Sequence, residues 1–336
     1  MVSMKDIAQR CGVSVATVSK ALNGQQDISE ETRARVCAVA DELGYMTNAA
    51  AKALKTNRTY NLGVLFADRQ RSGLTHEYFA RILESFKAQA ESHGYDITFI
   101  NQNVGGKPTT YLQHCRYRGV DGVVVVSVDY TDPEVRELVD SKIPLVTIDH
   151  VVNDRISVTS DNVNGLDALV RYAYSMGHRR IAYLYGDSCA VTRQRLVGFY
   201  RACEALGLNV PPSYVQECSY HNPERCAEAT KALLALRERP TCIIFPDDYS
   251  FVGGHRVIAN ARLRVPGDIS VMGYDGIHLA KVMGLTTYVQ DMESLGRIAA
   301  TQLINLIERP KTTCIESIQV QGSLQVGWSV RNLNQK

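Results

Sequence analysis

From Asn61 onward, short apolar runs alternate with longer stretches of helical periodicity, and this alternation restricts the chain more than any other feature of its sequence. The runs 62–67 (LGVLFA), 97–100 (ITFI), 120–127 (VDGVVVVS) and 143–148 (IPLVTI) are separated by helix-like segments near 77–93, 108–118 and 132–141. A second series follows, with strands near 180–186, 241–246 and 269–275 and helices near 162–176, 191–206, 223–236 and 249–262. Near-continuous apolar strands joined by helices belong to parallel sheets covered on both faces, so two α/β lobes are expected. A strand at 285–290 and a helix over 291–308, with Leu295, Ile298, Ala299, Leu303, Leu306 and Ile307 as its apolar face, take the chain back toward the first lobe. Several crossovers make a hinged pair.

The first fifty-eight residues follow a different rule. Ser3 followed by Asp6 opens a helix whose apolar face is Ile7, Ala8 and Cys11 and whose left-handed stop is Gly12. Ser14 begins the next helix, with Val13 and Val18 as a hydrophobic staple, so a three-residue turn joins the two at helix-turn-helix spacing. A third helix opens at Ser29, turns Val36, Val39, Ala40 and Leu43 inward and stops at Gly44. In the second helix Val18, Ala21 and Leu22 face the core, which leaves Val15, Ala16, Thr17, Ser19 and Lys20 outside. Short outer side chains let a helix enter the major groove N-terminus first. Thr17 and Ser19 can donate to phosphates, Lys20 can reach guanine O6/N7 or a phosphate, and Val15 and Ala16 can press on thymine methyls. Charge agrees. The net +2 of the 336 residues lies wholly in residues 1–58, which hold eight Lys/Arg and six Asp/Glu and leave 29 of each for the rest.

The motif K-D-I-A…G-V-S-x-x-T-V-S-x-x-L-N-G…S-E-E-T-R-x-R-V…L-G-Y-x-x-N-x-x-A-x-x-L, running from Lys5 to Leu54, resembles the DNA-binding headpiece of the lactose/galactose repressor family of bacterial transcription regulators. The resemblance implies that Val15, Ala16 and Lys20 read bases while Thr17, Ser19, Asn23, Ser29 and Tyr45 set the headpiece on the backbone. It also gives a meaning to 48–58 (NAAAKALKTNR), a run of helix formers too short to be stable alone in water. In the family this is a hinge helix that pairs with its mate in the minor groove and wedges a leucine between base steps. The matching leucine is Leu54, supported by Asn48 and Ala51. Thr47 stands where the family commonly has proline, so the start of this helix is less rigid.

Ligands of open parallel sheets bind beyond the carboxyl ends of the strands, and those positions are polar here. They include Asp68, Arg69, Ser127, Asp149, Asp247, Asp275 and Gln290, with Phe79, Tyr220 and Tyr249 as stacking faces for sugars or planar rings. Asp129, His150, Asp187 and Asp248 occupy the same kind of position, although an aspartate there often only caps the next helix. The remaining motifs (S-D-N, G-H-R-R-I-A-Y, R-L-x-G-F, R-V-P-x-D-I-S-V-x-G-Y-D, L-T-T) resemble the periplasmic-binding-protein-like effector core of the same repressors. By that resemblance Arg195 and Asp275 hold the effector, and Asp149, Tyr220, Asp247 and Gln290 are secondary contacts. Gly276 replaces the common second aspartate after G-Y, and 67–79 is longer than the family's turn, so no particular ligand carries over.

Three segments follow: an all-α helix-turn-helix headpiece over 1–46, a hinge over 47–60, and a two-lobed core over 61–336, with lobe 1 near 61–158 and 291–322 and lobe 2 near 159–290 and 323–332. The expected partners are a palindromic double-stranded DNA operator, a small-molecule effector and a second copy of the chain. The mixture of arginine, aspartates and aromatics favours a sugar or sugar derivative as effector, with a purine or other non-sugar metabolite as the alternative. A dimer is expected over a tetramer, because 328–336 carries no heptad pattern. No metal or cofactor is expected. The nine cysteines never form C-x-x-C, and the glycines at 105–106 and 253–254 lack dinucleotide-site spacing. Neither H-E-x-x-H nor G-x-S-x-G occurs, and His178 reads as the close of the preceding helix rather than an acid or base, so an enzyme acting on sugars or nucleosides is the weaker alternative. The N-terminus has no secretory pattern and no run spans a bilayer, which argues against a transported-solute binding protein and for the cytoplasm.

Overall fold

The computed structural model describes residues 2–25, 27–45, 58–67 and 72–335. The chain divides into two compact units, Met1–Thr59 and Tyr60–Lys336. In the first, α1 (Met4–Cys11), α2 (Val15–Leu22) and α3 (Glu30–Glu42) enclose Ile7, Ala8, Cys11, Val18, Ala21, Val36 and Ala40. The ends of these helices follow local chemistry. The Ser3 N–H and hydroxyl both donate to Asp6 at the start of α1, and Gly12 ends it at φ +65°. Ser14 Oγ accepts from the Thr17 amide at 3.0 Å, and Ser29 Oγ from the Thr32 amide at 3.3 Å. Val13 packs on the same core as the buried Val18.

In the second unit β1 (Asn61–Phe66), β2 (Asp96–Phe99), β5 (Gly122–Ser127), β6 (Leu145–Ile148), β7 (Ile156–Ser160) and β13 (Ser317–Val320) form a parallel sheet in the order β13-β7-β6-β5-β1-β2. A second sheet takes the order β14-β12-β11-β10-β8-β9. Its strands are β8 (Ile181–Tyr185), β9 (Val215–Glu217), β10 (Cys242–Ile244), β11 (Ser270–Asp275), β12 (Thr286–Val289) and β14 (Ser323–Gln325). Here β14 runs antiparallel at the edge, and a small hairpin, β3 (Asn103–Val104) with β4 (Lys107–Pro108), stands apart. The helices that position the site are α4 (Glu77–Ser92), α5 (Tyr111–Arg118) and α6 (Pro133–Val139) on the first sheet. On the second are α7 (Asn162–Ser175), α8 (Ala190–Ala205), α9 (Pro223–Leu234), α10 (Phe251–Asn260) and the short α11 (His278–Val282). The last helix, α12 (Met292–Glu308), returns to the first lobe and packs along α4 with Leu295, Ala299 and Leu303 in that lobe's core. This is a two-lobed α/β core in which the chain crosses between lobes more than once.

Residues 46–57 and 68–71 fall outside the described residues, and with them Thr47, Asn48, Ala51, Leu54, Asp68 and Arg69. Six of the described strands have no counterpart among the apolar runs: the hairpin strands β3 and β4, the antiparallel edge strand β14, and β7, β9 and β13. β7 is wholly buried yet alternates Ile, Ser, Val and Thr, and β9 and β13 are short or half-polar edge strands. The buried Ser157 hydroxyl is satisfied internally, accepting from Thr147 Oγ1 at 3.0 Å. Such a strand has no hydrophobic signature.

Candidate functional site

On the headpiece, the outer face of α2 carries Val15, Ala16 and Lys20 exposed, with Thr17 and Ser19 half-buried beside them. The Thr17 hydroxyl lies 2.9 Å from Ser14 Oγ, and the Asn23 amide donates to the Ser19 carbonyl at 2.5 Å. These groups are held in place by the helix ends before any ligand arrives. Lys20 Nζ sits 2.5 Å from Asp27 Oδ2 in the loop before α3. Ser29 caps α3, and Tyr45 packs half-buried against the headpiece core.

In the core, a cavity of about 340 Å³ opens between the carboxyl ends of the two sheets. At its base Arg195, 4% exposed, is fixed on every side. Its Nε donates to Asn162 Oδ1 at 2.8 Å, Nη1 to the Pro246 carbonyl at 2.9 Å, and its guanidinium lies 3.6 Å from the centre of the Tyr274 ring. Nη2 stands 3.8 Å from Asp275 Oδ1, which also accepts from Gln290 Nε2 at 2.6 Å. Burial raises the affinity of the Asp275 carboxyl for a proton, Arg195 opposes this, and Asp247 and Asp248 reinforce it. Asp275 is thus an acceptor crowded by like charge, and φ +104° at this residue aims it off the strand.

The other carboxylates are tied to the frame. Asp149, at φ +57°, accepts from the Ser160 amide at 3.0 Å and from the Tyr78 hydroxyl at 2.6 Å. Asp247 accepts from the amides of Ser250 (2.6 Å) and His221 (2.8 Å) and from Ser250 Oγ (2.8 Å), and so braces the wall. Asp248 lies behind the cavity, accepting from the Gly276 and Ile277 amides and from Thr287 Oγ1, and burial pushes its carboxyl up to about 7. The walls are aromatic. Tyr130 stacks on His150 with ring centres 3.6 Å apart and planes 9° apart. Across the cleft, His76 stacks on His221 at 4.1 Å, and His221 stacks on Tyr249 at 4.0 Å.

Of the residues expected in the cavity, Phe79, Ser127, Asp149, Arg195, Tyr220, Asp247, Asp275 and Gln290 line it. Tyr249 does not, because His221 lies between it and the opening. His76, Tyr78, Tyr130, His221 and Arg193 line it without having been singled out in the sequence. Their one shared signal is placement beside strand ends or in the long 67–79 turn, since stacking pairs remote in sequence leave no spacing to read. His178 is buried with its ring nitrogens 2.9 Å from Thr241 Oγ1 and 3.1 Å from the Arg331 carbonyl, which pins the C-terminal segment and leaves no nitrogen for chemistry. Among the described residues there is no cluster of three metal-binding side chains, and no helix is long and apolar enough to cross a membrane.

The family model for bacterial regulatory proteins of the lacI family matches residues 3–48, and that for a periplasmic binding protein-like domain matches 170–330. The HTH-type transcriptional repressor PurR of Pectobacterium atrosepticum is 33% identical over 316 residues, covering 91% of each chain. The chain belongs to the LacI family. The PurR of Mannheimia succiniciproducens is 31% identical to this LacI-family repressor over 99% of its length and 100% of the relative's. Among solved structures, the Lac repressor dimer bound to operator and the anti-inducer ONPF matches with TM-score 0.79 at 24% identity, over 98% of this chain and 99% of that one. The complex of the regulator CelR with cellobiose matches with TM-score 0.70, also at 24% identity, over 98% and 100%. This repressor is therefore a ligand-responsive, DNA-binding regulator with a helix-turn-helix headpiece and a periplasmic-binding-protein-like core.

Proposed function

We propose that this repressor binds a palindromic operator as a homodimer in the cytoplasm, and that a neutral, ring-bearing metabolite in the inter-lobe cavity sets its affinity for DNA. Two copies of α2 related by a two-fold axis read two half-sites, which is why a palindrome and a dimer go together. Exposed apolar side chains at Val282, Val326 and Trp328 offer surface for a second copy, and the Lac repressor relative is a dimer on its operator. Val15, Ala16 and Lys20 read bases; Thr17, Ser19, Asn23, Ser29 and Tyr45 seat the headpiece on the backbone; Asn48, Ala51 and Leu54 form the minor-groove wedge. The protein acts by binding, without catalysis.

The observation that carries the effector class is the balance of the cavity wall. Five carboxylates (Asp129, Asp149, Asp187, Asp247 and Asp275) face two guanidiniums (Arg193 and Arg195), one of which is already beside Asp275. Such a wall repels phosphate and carboxylate and welcomes O–H and N–H donors. Arg195 and Asp275 hold the ligand, with Asp149, Tyr220, Gln290, Ser127, Asp68 and Arg69 around it and Phe79 against a face. The stacked Tyr130–His150 and His76–His221 pairs offer aromatic surface to a flat heterocycle, so a purine is the first reading, and the name PurR of the relatives points the same way. The acceptor-rich floor equally suits the hydroxyls of a sugar, which is the second.

A thermal-shift panel of sugars, sugar phosphates, purine bases and nucleosides, repeated with DNA, tests the effector class. A sugar phosphate that stabilises best defeats it. For the headpiece, Lys20→Ala and Leu54→Ala should each weaken binding to duplexes that the parent protein selects from a randomised pool. If both bind like the parent, the DNA face is misassigned.

A further inference from the structure

The DNA face contains an acid that no feature of the motif requires. Val15 and Ala16 offer no hydrogen bonds, the Thr17 hydroxyl is shared with Ser14, and Ser19 is tied to Asn23. Lys20 is the projecting donor, and its Nζ does not stand alone: Asp27 Oδ2 is 2.5 Å away, with both side chains about half exposed (46% and 54%). The Asp27 carboxylate thus stands at the surface beside the Lys20 ammonium. This is the one direct tie between the outer face of α2 and the α2–α3 loop among the ion pairs of the described headpiece, since Arg10–Glu42 joins α1 to the end of α3.

In the major groove a G·C pair presents guanine O6 and N7 as acceptors and, beside O6, cytosine N4 as donor. O6 and N4 are joined by the Watson–Crick hydrogen bond and so lie about 2.9 Å apart. Lys20 Nζ and Asp27 Oδ2 form the complementary couple at nearly the same spacing, with donor facing acceptor and acceptor facing donor. An ammonium has three donors; one meets Asp27 and two remain for O6 and N7. An A·T pair reverses the arrangement, because thymine O4 would confront the carboxylate. We propose that Asp27 is a second base-reading residue of this repressor, accepting from cytosine N4 while Lys20 donates to the paired guanine, so that the two side chains read one G·C pair of each half-site together.

The proposal rests on α2 being the DNA-reading helix, and one experiment separates the two. Duplexes selected by the full-length parent from a randomised pool are varied one base pair at a time, and relative affinities are measured for the parent, Lys20→Ala, Asp27→Ala, Asp27→Asn and the double variant Lys20→Ala with Asp27→Ala. Lys20→Ala is expected to flatten one G·C position. Both Asp27 variants should lower the preference for G·C over A·T at that same position by about fivefold or more while leaving the other positions unchanged, and the double variant should add nothing there beyond Lys20→Ala. A carboxylate that merely repels phosphates would instead raise affinity for every duplex alike, and that outcome overturns the proposal. So does retained discrimination in Asp27→Ala at the position flattened by Lys20→Ala. If Lys20→Ala flattens no position, the reading of α2 falls and the proposal with it.

Discussion

Replacing Asp275 by asparagine should disconnect the effector from the DNA without harming the fold. The amide keeps an oxygen to accept from Gln290 Nε2, now 2.6 Å from Oδ1. Arg195 keeps its bonds to Asn162 and Pro246 and its place on the Tyr274 ring, and its 3.8 Å approach to Asp275 is longer than a hydrogen bond. The substitution also removes one of three carboxylates that crowd each other, Asp247 and Asp248 being the others. Because the buried charged form was disfavoured, stability should stay level or rise, and the melting temperature should not fall by more than about 2–4 °C, the equivalent of roughly 1 kcal/mol in a domain of this size. The ligand meets the opposite change. A ligand that donates to Asp275 draws out its charged form, which asparagine cannot supply, so up to a charge-assisted hydrogen bond of about 1.5–3 kcal/mol is lost, which is about 10- to 150-fold in affinity. Fluorescence anisotropy of a labelled selected duplex, titrated with the compound found by thermal shift, reads the effect directly. Operator binding without effector should match the parent, and the midpoint of the response should move by at least tenfold. A shift under about threefold, or loss of operator binding in a folded protein, would refute the assignment of Asp275.

Two further substitutions test the frame. A Cβ on Gly198 of α8 would lie 2.1 Å from the Val163 carbonyl of α7, so Gly198→Ala must force the packed helices away from each other; we expect a cost of about 1–3 kcal/mol and a melting temperature lower by several degrees, and an unchanged melt would mean that α7 and α8 do not pack as described. Asp248 titrates near 7 in the folded chain and near 4 unfolded, so its contribution to stability is complete below about pH 4 and is lost as pH rises through 7. The stability difference between the parent and Asp248→Asn should therefore shift against the parent from pH 5 to pH 8 in thermal denaturation, and a difference constant with pH sinks this reading.

How far the sequence alone reveals this molecule depends on what kind of contact is at stake. The headpiece was legible almost to the atom, because its turns are set by neighbours in sequence: Ser14 three residues from Thr17, Gly12 after Cys11, Val13 against Val18. The βα alternation was legible wherever a strand is buried on both faces by aliphatic side chains, as in Gly122–Ser127. It failed at Ile156–Ser160, where buried Ser157, Thr159 and Ser160 interrupt the apolar residues and leave no apolar run. The floor of the cavity followed from strand ends, and Arg195, Asp275 and Gln290 meet there. The walls did not follow, since Tyr130–His150 and His76–His221 are pairs made by tertiary folding alone, 20 and 145 residues apart in the numbering. Tyr249 shows the converse: an aromatic residue in the expected loop stacks on His221 instead of lining the cavity.

Two of three contacts that bridge the lobes are made by residues that line the cavity, and this bears on how a ligand can act at a distance. The Tyr78 hydroxyl donates to Gln290 Oε1 at 3.3 Å, the His278 amide to Glu77 Oε1 at 2.8 Å, and His76 stacks on His221. Tyr78, His76, His221 and Gln290 all border the space that an effector would occupy. A ligand in this cavity would strengthen or displace two contacts that hold the lobes at their present separation, and a difference in affinity between lobe arrangements would follow. Each such contact is worth about 0.5–1.5 kcal/mol net. Two or three of them reach the 1–3 kcal/mol, about 5- to 150-fold, that couples sites in typical allosteric proteins. No further device is needed to account for a switch of that size. By reciprocity, the factor by which the effector changes operator affinity must equal the factor by which operator changes effector affinity, so substitutions at His76 or Gln290 that weaken a bridge should alter both by the same amount.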